Sequence, residues 1–482
     1  MLRFELKKVL GSTGGKIAAL LLAMAVALAC WMCISDVCWV NEQGEEEQGL
    51  AAISKLRSAQ KLWAGVLDTH RLEEIIRENQ RICATPEAQS KDYQKNDIAY
   101  GWKLGIRPVL DMMNYAYSRD FQEYDWYCNE SVTVDQAGDF YSNRTRLMKA
   151  WLLDETGSAQ YLFNENEQNY LIEQYETLET PFYVDYTEGW TQLLYNSPFV
   201  IMMAALILGF LSSGIFAGEY RWRADPVFFS AKHGRDRAVW AKIGAGFWMV
   251  TGLYWASVLV YSLVVLGLLG LDGWNCPLQL DMWKSFYHLK LWQAWVLTAV
   301  GGYIGSLFFV FLTMWVSART RSAVFASSVP FLLVFLPTFL DNLNNDTISK
   351  LLGLFPDKLL EIYQALRYFY VYDFGFTVKG ALEILPVLYT VLTLALVPLM
   401  YRRFRKRAVR YSVGLLPSCC RGGSQPPARY KPLTWYQVGR IRAVSDVLPF
   451  NQQLNYPIWR EATSLPYSGR AVIAIRYHLS KQ

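Results

Sequence analysis

Apolar residues in this chain are gathered into six long runs with polar stretches between them. The first run, Ile17 to Ser35, is 19 residues without an acidic or basic side chain, enough for a helix to cross roughly 30 Å of hydrocarbon. Five more lie at about Pro198–Ala217, Gly244–Leu271, Trp292–Val316, Ala323–Leu340 and Gly380–Tyr401. Each predicts a membrane-spanning helix, because within lipid only the helix's own ladder can satisfy its backbone polar groups. A cleaved signal peptide competes for the first run, since a basic start followed by an apolar stretch looks the same. The run is long for such a segment and no small-x-small site follows it cleanly, which favours a retained helix.

The long polar stretch, residues 36–197, predicts a soluble domain. Helical periodicity runs through Leu50–Val66, Arg71–Ile82, Tyr141–Trp151 and Glu165–Leu178. Tyr124, Trp126, Tyr127, Phe140, Tyr141, Phe182, Tyr183 and Trp190 crowd its second half and are expected in its core rather than on a stacking platform. The expected fold class is therefore an all-α polytopic membrane protein. Six transmembrane helices (1 + 5) would carry a mainly helical extracytoplasmic domain between helices 1 and 2. The sequons at Asn129 and Asn143 matter only in a source that glycosylates.

Charge turns these runs into a topology. Residues 36–197 hold 28 Asp/Glu against 14 Lys/Arg, whereas the whole chain is +5. With the N-terminus inside, segments 1–16, 218–243, 318–322 and 401–410 carry 18 Lys/Arg in 57 residues; loops 272–291 and 341–379 carry six in 59. That threefold bias predicts both ends in the cytoplasm and the acidic domain outside. Eight cysteines and four histidines form no metal-ligand spacing. Cys30 and Cys33 sit in an apolar run as small core residues. Cys38, Cys83, Cys128 and Cys276 all fall outside, which leaves a disulfide among them open with no readable pairing. No cofactor, metal or nucleic-acid partner is expected.

Glu383 is the one acidic or basic residue in the six runs. Ion-coupled carriers need buried acids, histidines or broken helices at mid-membrane, so no internal energy source is evident. Gly214–Gly218 and Gly301–Gly305 are spaced for close helix packing. Gly11-Ser-Thr-Gly14-Gly15-Lys16-Ile17 superficially imitates a phosphate loop but is one residue short and ends in Ile where Ser or Thr must hold magnesium. Leu2, Phe4, Leu6 and Val9 among Arg3, Lys7 and Lys8 predict a short interfacial amphipathic helix facing membrane lipid. The loop 341–379 is amphipathic enough to rest at the outer interface or partly re-enter it. The block after Tyr401, RRFRKR, anchors the last helix to anionic lipid. The tail, 411–482, fits nothing upstream and is either a disordered basic segment or sequence foreign to the fold.

Between the second and third runs lies Gly218–Lys242, GEYRWRADPVFFSAKHGRDRAVWAK. Pro226 suits a helix's first turn. Val227, Phe228, Phe229 and Val239 give an apolar side for a partner's groove, framed by Arg221, Arg223, Lys232, Arg235 and Arg237. An ordinary positive-inside loop would look much the same. With this layout, residues 1–410 resemble the ABC-2 type permeases, the membrane half of ATP-driven exporters, and within them a bacterial branch with a large extracytoplasmic domain after the first helix. The resemblance rests on Phe216-Ala-Gly218-Glu219-Tyr220, Val227-Phe228-Phe229-Ser230, Gly234-Arg235, Ala241-Lys242 and Phe4-Glu5-Leu6-Lys7-Lys8. Phe140-Tyr141-Ser-Asn-Arg144 and Thr180-Pro181-Phe182 through Gly189-Trp190 resemble the same branch. Many members have Gly-Thr soon after the Glu; here Arg223-Ala224-Asp225-Pro226 stands instead.

The resemblance implies four parts: 1–35, an interfacial segment and first transmembrane helix; 36–197, the extracytoplasmic domain; 198–410, helices 2–6 with a cytoplasmic coupling loop at 218–243; and 411–482, the tail. It also implies a separate ABC ATPase subunit docking on Glu219, Tyr220, Pro226, Phe228, Phe229, Gly234, Arg235 and Lys242, a second permease protomer, and no catalysis by this chain, which has no Walker loop. Two rivals stand beside it. A sensor or receptor subunit would bind its ligand through 36–197, and a membrane-embedded enzyme would need reactive side chains that the runs lack.

Overall fold

A computed structural model describes residues 1–154, 157, 159–341 and 346–405. The tail 411–482 and the last cations of the RRFRKR block lie outside the described residues. The described chain belongs to one compact unit, Met1–Val409, and is mostly helical.

Helix α1 (Leu2–Leu10) meets α2 (Thr13–Ser35) at a tight corner. The Ser12 side chain accepts a hydrogen bond from the Gly15 amide at 3.0 Å and caps α2. A Cβ at Gly15 would collide with the carbonyl oxygens of Val9 and Leu10. The glycine-rich fragment is therefore a helix junction.

The insert that follows begins with a β1 (Cys38–Val40) and β2 (Glu46–Gln48) hairpin. Helix α3 (Leu50–Lys61) is shorter than its apolar periodicity predicts, because Gly65 and Val66 form strand β3 (Gly65–Val66), paired with β4 (Tyr183–Val184). Next come α4 (Thr69–Cys83), α5 (Tyr93–Lys103), α6 (Arg107–Ala116), α7 (Cys128–Ser131), α8 (Phe140–Leu152), α9 (Ala159–Leu162) and α10 (Glu165–Glu176). Asp68 caps α4, and Asn164 and Glu167 form a capping box on α10. No disulfide joins any two of the six described cysteines. The Asn129 side chain is buried, donating to Asn114 and accepting from Asn79.

Six helices are long and apolar enough to cross a membrane, counting α11 and α12 as one. Helix α11 (Glu188–Ser212) starts ten residues before the expected boundary at 198 and passes into α12 (Gly214–Arg221) at Ser213. The break is filled by Ser317, whose hydroxyl donates to the Ser213 carbonyl at 2.5 Å and accepts from the Ala217 amide at 3.1 Å. A short α13 (Asp225–Ser230) then precedes α14 (Arg237–Leu269), α15 (Leu291–Thr320) and α16 (Ala323–Asp341). The spans α11–α12 and α15 are 72% and 61% buried along their apolar windows, against 22–39% for the other four. They form the centre, and the other four spans wrap them.

Between α16 and α19 (Ala381–Arg405) come α17 (Asp346–Leu352), a 3₁₀ turn at Pro356–Leu359, α18 (Ile362–Ala365), and the hairpin β5 (Val371–Asp373) and β6 (Val378–Gly380). The part from Pro356 to Ala365 wedges among α11, α15, α16 and α19, so it re-enters the bundle rather than resting on it. Leu359, Ile362 and Tyr363 are buried. The small faces at Gly301 and Gly305 serve this wedge, because a Cβ there would meet Ile362, or Leu359 and Leu360.

The insert does not close its own core. Phe121, Met148, Leu171 and Tyr175 cluster with Phe286 from the α14–α15 connection and Val371 from β5. Buried Arg144 on α8 donates to the carbonyls of Trp283 at 3.0 Å and Ser285 at 2.8 Å. Its guanidinium lies 3.9 Å from the Tyr175 ring centroid. Burial pushes the guanidinium pKa down, and its carbonyl and ring partners hold the charge in place of a carboxylate. Arg57 and Lys61 both pair with Asp272, and Lys350 with Glu167 at 2.8 Å. The independent core expected for 36–197 is thus completed by the connections between the spans.

Candidate functional site

At the bundle end away from the insert, the segment Gly218–Lys242 is held by a knot of charges. Lys242, in the first turns of α14, is 0% exposed. Its ammonium donates to Glu219 Oε1 at 2.7 Å, to Glu5 Oε2 at 3.2 Å and to the Ile215 carbonyl at 3.0 Å. Lys8 of α1 also reaches Glu219 Oε1, at 2.7 Å. Glu5 and Glu219 are themselves buried. Three donors on Lys242 meet three acceptors, so the buried ammonium is fully satisfied. The knot joins α1, α12 and α14. A lysine buried with two carboxylates holds a geometry more than it adds stability, since desolvation offsets much of the attraction.

The loop's aromatic residues point the same way. Phe229 is buried, with its ring centroid 5.1 Å from that of Phe404 on α19. Phe228 lies 5.8 Å, Phe216 4.7 Å and Tyr220 6.4 Å from the same ring. Val239 is buried at the start of α14. The side expected to enter a partner's groove therefore faces the chain's own last helix; of its four apolar residues, Val227 alone is exposed, at 75%. The reason is geometric. A six-residue helix beside the bundle must bury its two adjacent rings, and Phe404 is within their reach.

Backbone geometry explains where α13 begins. Arg223 has φ +53, and the Ala224 and Arg223 amides bond back to the Glu219 and Tyr220 carbonyls at 2.9 and 3.1 Å. This is a Schellman ending with arginine in the left-handed position usually given to glycine. Asp225 then opens α13 with Pro226 in its first turn. At the other end, a Cβ at Gly234 would collide with the Phe228 carbonyl oxygen. Arg235 Nε donates to the Phe229 carbonyl at 3.2 Å, and its guanidinium lies 5.7 Å from the Phe229 ring. Gly234 and Arg235 thus fold the chain back over the end of α13.

All eight expected residues fall in or beside this loop, but they divide. Glu219, Phe229, Gly234 and Lys242 are buried, Tyr220 and Phe228 are half-buried, and Pro226 and Arg235 are exposed. The free surface consists of Trp222 (63% exposed), Pro226 and Val227, with Arg221, Arg223, Lys232, Arg235 and Arg237 around them. Phe404 and Asp236 were not singled out in the sequence. Asp236 accepts from Tyr401 at 2.7 Å and pairs with Arg405 at 3.3 Å, a second tie to α19. A ring at the end of an apolar run carries no signal of its own. Among the described residues no group of His, Cys, Asp and Glu could hold a metal. The arrangement joins α12, α13 and α14 to α1 and α19.

Comparison with protein-family models, with curated proteins and with solved structures finds no match.

Proposed function

We propose that this chain is the permease subunit of an ATP-driven exporter of the ABC-2 type, working with a separate ATPase and a second permease protomer. The observation that carries this reading is the Lys242 knot. A loop that only marked the inner side of a membrane would need cations, not a fully buried lysine on two carboxylates from different helices. A knot of this kind lets a push on α13 move α1, α12, α14 and α19 together as a rigid body.

In this reading the basic end faces the cytoplasm and the insert lies outside, as the cation bias requires. The ATPase meets the exposed ridge of Trp222, Pro226 and Val227 and its arginines. The helices α2, α14, α16 and α19, least buried within this chain, face lipid and the second protomer. Reversing Glu219 and polarising Phe228 and Phe229 would test folding rather than docking, because those residues hold the loop together. Asp at Trp222 and Val227, both exposed, tests docking. In membranes holding the transporter and its ATPase, the double variant should accumulate normally yet lose stimulation of ATP hydrolysis. Unchanged stimulation would refute the docking ridge.

A further inference from the structure

The re-entrant wedge brings charge into a bundle whose spanning helices have almost none. Its deepest contacts are with Gly301 and Gly305 on α15, ten and fourteen residues beyond the start at Leu291, roughly 15–21 Å along that helix. Asp357 stands in this wedge, 6% exposed. One of its oxygens pairs with Lys358 at 3.1 Å. The other, Oδ1, is buried and makes no well-formed hydrogen bond among the described residues, the backbone amides of Asp357 and Lys358 being the nearest donors to the carboxylate. Glu361 is close enough to act electrostatically on Asp357 and Lys358. Lys358 thus pairs with Asp357 while Glu361 stands nearby, two carboxylates against one ammonium. The segment's other cations are engaged elsewhere: Lys350 pairs with Glu167, Lys379 with Glu383, and Arg367 donates to Tyr363 and faces Asp281. The surroundings are aromatic and apolar, with Tyr389 of α19 near enough to feel the Asp357 charge and donating to the Leu354 carbonyl at 2.9 Å, and Phe308 meeting Tyr389 edge-to-face at 4.8 Å between ring centroids.

We propose that Asp357, with Glu361, is a binding site inside the bundle for the ammonium group of a cationic amphiphile. A buried carboxylate oxygen without a well-formed hydrogen bond forgoes a charge-assisted one, and the cluster is short of one positive charge. An ammonium headgroup supplies both the donor and the charge, while the aromatic walls accept an acyl or aryl body. The inference rests on the permease reading for its meaning as a cargo site, but its test needs neither the ATPase nor transport.

The full-length protein in nanodiscs would be titrated at constant pH with dansylated dodecylammonium, with dansylated dodecanoate and with a neutral dansylated dodecanol. The ammonium probe should bind at least about tenfold more tightly than the neutral one. Asp357→Asn should abolish that preference without changing binding of the neutral probe. Lys358→Gln, which frees the second Asp357 oxygen, should tighten ammonium binding, a gain that a merely damaged fold would not produce. Equal binding of the three probes, or preference unchanged in Asp357→Asn, would overturn the proposal. So would a site that takes a proton only, seen as an Asp357 titration that the ammonium probe does not shift. Ammonium binding in a protein whose docking variants leave ATP hydrolysis untouched would keep this site while refuting the permease reading.

Discussion

Lys242 and Glu219, 23 residues apart on either side of a largely exposed loop, meet at 2.7 Å in the interior. Each is nearly sealed from solvent, and each has a second partner on α1, Glu5 for the lysine and Lys8 for the glutamate. Removing one member of a buried pair leaves its partner uncompensated. Lys242→Met should therefore lower the stability of the purified protein by about 3–5 kcal/mol, measured by thermal unfolding in detergent. Lys242→Met combined with Glu219→Met should recover part of that loss. Strictly additive losses would show that the two residues do not act as a unit.

The two turns around α13 make opposite demands on their residues. Arg223 occupies the left-handed region, where a side chain is strained. Arg223→Gly should thus stabilise by about 0.5–1 kcal/mol, the strain relieved less the added chain entropy. Gly234 lies against the Phe228 carbonyl with no room for a Cβ, so Gly234→Ala should open the loop. Protease cleavage between Ala231 and Arg237 should slow in the first variant and quicken in the second.

Arg144 holds the insert to the α14–α15 connection through two carbonyls that only a forked donor reaches together. Arg144→Lys should give up at least one charge-assisted bond, about 1.5–3 kcal/mol. The insert should become protease-sensitive at its junction, near Trp283, while the bundle keeps its helical circular dichroism.

Lys284 lies in the same connection, its ammonium 5.2 Å from the Tyr115 ring and 5.4 Å from the Phe121 ring. Burial pulls its pKa from 10.5 down to about 8, with Asp120 opposing the shift. The charged form is therefore disfavoured by folding. This costs stability in full below about pH 8, and the cost fades as pH rises toward 10.5, where the unfolded chain also loses the proton. Lys284→Met should be more stable than the parent at pH 7, and the difference should shrink by pH 10. A difference independent of pH would contradict the shift.

The six apolar helices and four of the insert's helices are legible in the sequence because burial there follows a period the chain writes out. Glu165–Leu178 and α10 differ by two residues, and the last apolar run coincides with α19 to within a few. The limits of local pattern appear where partners are distant. Phe228 and Phe229 look like a docking face until Phe404, 175 residues past Phe229, covers them. The apolar runs hold a single charged residue, Glu383, yet the helices built on them also bury Glu219 and Lys242, and Asp357 enters the bundle on a segment too polar to count as a span. Gly301 and Gly305 announce a close approach but not by what. Each of these depends on tertiary neighbours that no local window contains.

The account turns on whether force enters at the ridge of Trp222 and Val227. The most direct measurement is the rate of ATP hydrolysis by the proposed permease–ATPase assembly in membranes, with Trp222→Asp and Val227→Asp introduced together. Docking at this ridge predicts normal accumulation of the variant and ATP hydrolysis reduced to the rate of the ATPase alone. Parental rates from the double variant would contradict it.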